Sequence, residues 1–231
     1  MRNDDRQHDQ LRNIKIEKGY LRHNTASVLI QCGHTHVLVA ATVEEKVPPF
    51  KRNSNEGWLT AEYSMLPTCS HERIRRERNK VSGRTYEIQR LIGRSLRTIV
   101  DLAALGERTI TIDADVLQAD GGTRTASITA AYIALEIICK QLLKEQKISK
   151  NPLKEKIAAV SVGVVDGKPL LDLNYIEDSN ADVDMNIIMT ESGKIIEIQG
   201  TAEKEPFSKE EFDTLYSLAE KGIGEMFKLQ S

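Results

Sequence analysis

Cysteine is scarce in this chain, and its pattern excludes two classes of small stabilised fold. Cys32, Cys69 and Cys139 are odd in number and far apart. They offer neither a disulfide framework nor a zinc-ligand spacing, so a reducing, cytoplasmic setting is expected. A surplus of positive charge is missing too: the formal net charge is −2, without the basic balance common among nucleic-acid binders. No apolar run reads as long enough to span a bilayer, so no membrane is expected, and residues 1–12 are too polar for a signal peptide. Tandem repeats and low-complexity segments are absent as well.

What is present is an ordinary globular composition, 231 residues with 40% hydrophobic and 29% charged, enough for one sizeable core. Charge is unevenly placed along it. Residues 71–97 hold nine basic side chains against three glutamates, whereas residues 170–191 hold six acids and no Lys or Arg. A basic patch can therefore coexist with a carboxylate site. Residues 71–80 have almost nothing to bury except Ile74. They read either as a solvated charge run or as arginines that pair with a phosphate backbone.

The centre of the chain is residues 110–131. Ile110, Ile112, Ala114 and Val116 alternate with Thr111, Asp113 and Asp115, the period-two pattern of a half-buried strand. A helix is predicted from about Thr125 to Lys144. Between them stands Asp120-Gly121-Gly122-Thr123-Arg124. Two glycines admit close approach of a ligand to the backbone, and the helix behind them aims free N–H groups and a positive dipole end at the turn. With a hydroxyl and a guanidinium added, the turn suits a tetrahedral oxyanion such as phosphate. A tight strand-to-helix turn with an exposed arginine is the alternative.

Elsewhere the pattern is equally regular. The first thirteen residues read as a charged loop. Residues 28–31 and 37–43 form a hairpin, 58–65 a strand, and 157–165 with 170–173 a second hairpin. His34 and His36 read as solvent-facing residues of the first hairpin. Ile88, Leu91, Ile92, Leu96, Ile99 and Val100 make the apolar stripe of a helix that begins at Gly83-Arg84-Thr85. Arg90, Arg94 and Arg97 line its other side, with Glu87 and Asp101 as expected partners. A Gly, an Arg and a Thr thus open two helices, which could converge on one anion. A polar linker covers residues 145–156. A strand over 182–189 turns at 191–193 and returns through 195–199. It points Asp182, Asp184 and Asn186 away from its apolar face, either to solvent or into a site. Ser208 to Glu211 is a capping box opening a last amphipathic helix. One compact α+β domain over residues 1–231, with sheet and helix layers, follows from this order.

Several blocks, in this order, resemble the ribonuclease PH family of bacterial phosphate-dependent 3′→5′ exoribonucleases. They are D-Q-L-R (9–12), T-A-E-Y-S-M-L-P (60–67), G-R-T-Y-E-I-Q-R-L-I-G-R-S-L-R (83–97), L-Q-A-D-G-G-T-R-T-A-S-I-T (117–129) and E-D-S-N-A-D-V-D-M-N (177–186). The resemblance covers nearly the whole chain. It implies a two-layer mixed sheet-and-helix fold assembled as a homohexamer, a trimer of dimers. It also implies trimming of tRNA precursors and other RNA 3′ ends with release of nucleoside diphosphates. In this sequence Arg84, Gly122, Thr123 and Arg124 match the family's site for inorganic phosphate, the co-substrate. Asp178 and Asp184 match its catalytic acidic pair, where Mg²⁺ and proton transfer are expected. Arg73 and Arg76 match two arginines of its tRNA-binding pattern. Retention of Arg124, Asp178 and Asp184 argues against a non-catalytic relative, and the basic segment argues against an enzyme acting on nucleosides. Two departures stand out: Arg2-Asn3-Asp4-Asp5-Arg6 replaces the usual R-P-D-G-R, and the loop before Gly83 is shorter, with Ser82 in place of a second glycine.

Overall fold

Alternation and turn chemistry build the first half of a computed structural model that describes residues 2–78 and 80–230. β1 (Ile14–Lys18), β2 (Ser27–Cys32) and β3 (Thr35–Glu44) form an antiparallel meander. A one-turn 3₁₀ segment interrupts the next loop, and β4 (Trp58–Met65) follows. α1 (Gly83–Thr98) and the short α2 (Leu102–Leu105) carry the chain across to β5 (Thr109–Gln118), which lies parallel to β4. The five-stranded sheet has the order β1-β2-β3-β5-β4. In β5 the predicted alternation holds: Ile110, Ile112, Ala114 and Val116 are buried.

α3 (Thr123–Lys144) is buried on nearly every side over its first three turns, because it packs against strands of both sheets as well as α1. By length and hydropathy it could cross a membrane, a feature the apolar-run reading missed. Two thirds of the relevant window is instead buried inside the protein, as expected of a helix in the middle of a core.

The second half is a four-stranded sheet of order β7-β6-β8-β9. β6 (Ile157–Val165) and β7 (Lys168–Leu171) meet through Asp166 and Gly167, both at positive φ, the requirement of a two-residue type I′ loop. α4 (Tyr175–Asn180) precedes β8 (Val183–Thr190) and β9 (Ile195–Ala202), and α5 (Lys209–Leu229) closes the chain on β6, β7 and β8. Ser208 and Glu211 form the reciprocal capping box expected at its start. One contiguous core runs from Ala26 to Met226 through both halves.

Three expectations need correction. β1, α2 and α4 were not foreseen; they are 4–6 residues long, too short for a periodicity to declare itself. α1 stops at Thr98, because Thr98-Ile99-Val100 is a β-branched run that disfavours helix. Ile99 and Val100 stay buried, and Val100 bridges to Leu153 instead. The N-terminal loop has no regular structure, but it is not merely solvated: Arg2 and Arg12 are buried.

The missing glycine of the N-terminal motif is absorbed locally. Asp5 sits at φ 59°, a region that Asp tolerates better than most L-residues. Asp5→Gly should therefore raise stability, by up to about 1 kcal/mol after the extra freedom of the unfolded chain is subtracted. The urea midpoint measures it. A lower midpoint would mean that the aspartate side chain itself supports the turn.

Candidate functional site

The parallel pair β4–β5 sets the location. The chain leaves β4 and β5 at the same end of the sheet, and the N-termini of α1 and α3 both line the cleft beyond it. The two helix starts differ. In α1 the side chain of Ser82 accepts a hydrogen bond from the Thr85 N–H at 3.1 Å, so the residue replacing a family glycine serves as the N-cap. At α3 the N-cap is Gly122, which has no side chain to offer. Its first N–H groups stay free for an external acceptor. Gly121 and Gly122 lie at φ 74° and 66°. A Cβ on Gly121 would stand 2.5 Å from the Leu173 carbonyl oxygen, so the turn can pack onto residues 173–175 only as glycine.

The cleft encloses about 970 Å³, and its walls include Arg73, Arg76, Arg84, Gly122, Thr123, Arg124, Asp178 and Asp184. Residues scattered over more than a hundred positions thus share one cavity. Arg124 reaches it with its Nη2 donating to Glu87 Oε2 at 2.9 Å, while its Nε is buried without a partner. Gln199 Nε2 donates to the other Glu87 oxygen at 3.2 Å. Tyr63 Oη and Thr123 Oγ1 are 3.1 Å apart, and burial pushes the Tyr63 phenol up from its ordinary value.

These contacts correct the expected pairing along α1. Glu87 serves Arg124, not an arginine of its own helix. Arg94 pairs with Glu197, Arg97 donates to the Leu59 carbonyl and covers the Trp58 ring, and Asp101 binds Lys150. This side of α1 faces α3, β4 and β9 in part, and α3, β4, β9 and the loop after α3 supply the partners.

The carboxylates stand on separate elements. Asp178 lies on α4, which Asn174 and Glu177 cap reciprocally; N-x-x-E before an Asp was a legible start signal. Asp184 lies on β8. Of the three residues on that strand face, Asp182 binds Lys204 near the surface, whereas Asp184 and Asn186 turn into the cleft. Burial, with Asp178 close by, raises the Asp184 carboxyl to about 6, and its Oδ1 has no hydrogen-bond partner. Burial also pushes Asp178 up, against the pull of Arg84 and Arg124. Among the described residues no group of three His, Cys, Asp or Glu forms a metal cluster. A cation at the pair would complete its shell with water and phosphate oxygens, as Mg²⁺ commonly does.

The basic segment is solvated but tethered, which the composition did not reveal. Ile74 donates its N–H to the Pro67 carbonyl at 2.8 Å and packs on the core. Thr85 Oγ1 donates to Glu77 Oε1 at 3.1 Å. Arg73 and Arg76 thus ride on a loop held at two points; Asn79 lies outside the described residues. His34 and His36 are not part of the cleft.

Sequence reasoning missed the support beneath the site. Arg2 forks onto both Glu177 oxygens at 2.7 Å, and Arg12 forks onto Asp172 at 2.7 and 3.0 Å. Although burial raises a carboxyl, Arg12 holds Asp172 below the ordinary range. The available hint was three arginines in residues 2–12 against the acids of residues 172–178.

Sequence and fold are both similar to those of known proteins. Residues 10–140 match the 3′ exoribonuclease family, domain 1, and residues 156–222 match domain 2 of the same family. A ribonuclease PH of Neisseria meningitidis serogroup C is 59% identical over 224 residues, covering 96% of this chain and 93% of that protein. A ribonuclease PH of Neisseria gonorrhoeae is 58% identical over the same length and coverage. Among solved structures, the Archaeoglobus fulgidus exosome with RNA bound to the active site aligns with a TM-score of 0.81 at 20% identity, over 98% of this chain and 91% of that one. Rice (Oryza sativa) Rrp46 aligns with a TM-score of 0.79 at 19% identity, over 99% and 98%. These two likenesses concern the fold. The chain belongs to the 3′ exoribonuclease family, as a phosphate-dependent 3′→5′ exoribonuclease of the ribonuclease PH type.

Proposed function

We propose that the cleft trims the 3′ ends of tRNA precursors by phosphorolysis. The observation that carries this reading is the meeting, in one cavity, of an uncapped helix start with two arginines and a pair of carboxylates, Asp178 and Asp184. Arg84, Arg124, Thr123 and the N–H groups at Gly122 hold inorganic phosphate in line with the last phosphodiester. A phosphate oxygen bonds to the scissile phosphorus as the bond to the preceding 3′ oxygen breaks. The product is a nucleoside 5′-diphosphate, and the shortened RNA regains a 3′ hydroxyl. Such a transfer depends on alignment and charge neutralisation more than on covalent help from the protein.

Asp178 and Asp184 fit a Mg²⁺: two carboxylates, one with an unpartnered buried oxygen, are the usual protein share of its shell. When bound there, the ion would neutralise charge on the scissile phosphate. In the alternative role, without the ion, one of the two aspartates protonates the leaving 3′ oxygen. A homohexamer built as a trimer of dimers, and a cytoplasmic setting, belong to the same proposal and rest on the family resemblance. A shared core supports treating residues 1–231 as one unit.

A 3′-extended tRNA incubated with and without phosphate tests the reading. Nucleoside diphosphates should appear only with phosphate, and excess diphosphate should reverse the reaction and lengthen the RNA. Monophosphates released without phosphate would make water the nucleophile and overturn it.

Arg73 and Arg76 are assigned to the tRNA body. Arg73→Ala with Arg76→Ala should weaken tRNA binding but spare phosphorolysis of short single-stranded oligomers. If each arginine neutralises one phosphate, the logarithmic salt slope shrinks by roughly 0.7–0.9 per residue removed. Sedimentation confirms that assembly is unchanged. Equal loss on both substrates would move these arginines into the catalytic pocket.

A further inference from the structure

The block Asp9-Gln10-Leu11-Arg12 lies outside the roles assigned so far, yet its arginine joins a buried aspartate to the glycine turn. The Arg12 side chain is buried, and its Nε and Nη2 fork onto Asp172. That leaves Nη1, which donates to the Asp120 carbonyl at 2.5 Å; both terminal nitrogens also reach the Gly121 carbonyl, at 3.5 and 3.4 Å. Thr35 grips the same turn from beside it. Its hydroxyl donates to the Gly121 carbonyl at 2.6 Å and accepts the Asp120 N–H at 3.0 Å.

The peptides here are trans, so each carbonyl points opposite to the N–H of the next residue. Drawing the Asp120 and Gly121 carbonyls down onto Arg12 turns the Gly121 and Gly122 N–H groups the other way. Both glycines form part of the cleft wall. Asp172 extends the linkage. Its own N–H donates to the Ser161 carbonyl at 2.7 Å, and the next N–H, of Leu173, donates to Ser161 Oγ at 3.1 Å. The Tyr175 N–H then donates to Asp120 Oδ1 at 3.2 Å, at the start of the helix that bears Asp178.

We propose that Arg12 is a positioning residue for phosphate: it aims the N–H groups of the glycine turn at the attacking anion and, through Asp172, keeps that turn aligned with Asp178. The inference rests on the reading of this turn as the phosphate site. A guanidinium is suited to the task because one planar fork is spent on the carboxylate while a nitrogen remains for the carbonyls.

Steady-state phosphorolysis of a short single-stranded oligonucleotide tests it, with phosphate varied at saturating RNA and RNA varied at saturating phosphate. Wild type, Arg12→Gln and Thr35→Val are compared, each with a thermal unfolding curve. Arg12→Gln should raise KM for phosphate roughly tenfold while KM for RNA moves by less than about twofold. Thr35→Val, which removes one of the two grips, should raise KM for phosphate about threefold. Both KM values and kcat worsening together, in step with lost thermal stability, would overturn the proposal and leave Arg12 a structural ion pair. Should Arg12→Gln fail to fold, an unchanged KM for phosphate in Thr35→Val overturns it alone. A wild type indifferent to phosphate would instead remove the phosphate-site reading, and this inference with it.

Discussion

Asp184→Asn is expected to suppress phosphorolysis and, in the same protein, to raise thermal stability at neutral pH. The two effects have one cause. Asp184 is held against burial and a second carboxyl, with one oxygen unpartnered, and its pKa rises from 3.8 to about 6. A raised carboxyl pKa means that the folded state favours the neutral form. The associated stability is present below the unfolded value near 3.8 and is lost as pH climbs from there through about 6. At pH 7–8 the wild type therefore carries the full cost of the buried charge, on the order of 1–3 kcal/mol after allowance for partial exposure. Asn removes that charge. Calorimetry in EDTA should show a higher Tm for the variant at pH 7.5, by roughly 2–4 °C per kcal/mol. The difference should fade below about pH 4, where the wild-type carboxyl is neutral in both states. Activity should fall by about two to three orders of magnitude, since a lost electrostatic group at a transferring centre commonly costs that much. RNA affinity should hardly change. Full activity in the variant would return Asp184 to the strand's passive polar face.

The second large effect concerns Arg124. Arg124→Ala should lower kcat/KM for phosphate by about two to three orders of magnitude, and Arg124→Lys should lose most activity as well. The reason lies in the geometry of the guanidinium. Nη2 is spent on Glu87, and Nε is buried without a protein partner. The fork can therefore bind Glu87 and still present donors to phosphate. An ammonium keeps the charge but cannot hold both directions in one plane. Folding should survive both substitutions, because the Arg124–Glu87 pair is partly exposed and such pairs contribute within about 1 kcal/mol. Fluorescence anisotropy in phosphate-free buffer should show RNA binding near wild type. Near-normal turnover in the lysine variant would reduce Arg124 to a generic positive charge.

Local patterns were legible wherever a physical period or a cap repeats over several residues. The alternation of β5, the first hairpin and the capping box of α5 appear where the sequence places them, whereas the second hairpin returns from Lys168 and the stripe of α1 outruns its helix by Ile99 and Val100. The residues of the candidate site were legible for another reason: glycine, arginine and aspartate blocks carry the family resemblance. That resemblance named Arg84, Arg124, Asp178 and Asp184 without showing how they meet. Short elements escaped because one turn of helix or five residues of strand carry too little pattern. The capping box of α4 was present, but the six-residue helix it opens is too short for an apolar stripe to accompany it.

By itself, then, the sequence determined the mixed α+β class, the order of the longer elements and the identity of the charged residues worth testing. Only the tertiary structure decided which charges are buried and with whom. Arg12 and Asp172 are 160 positions apart, and their separate surroundings read as a charged loop and as a hairpin strand. Their pairing exists because the second sheet docks on α3 and brings the chain after β7 beneath the glycine turn. The same packing assigns Glu87 to Arg124 and turns Asp184, not Asp182, into the cleft. Burial is a property of the whole core, and a charge taken out of water must find its partner there. Local periodicity cannot specify that partner.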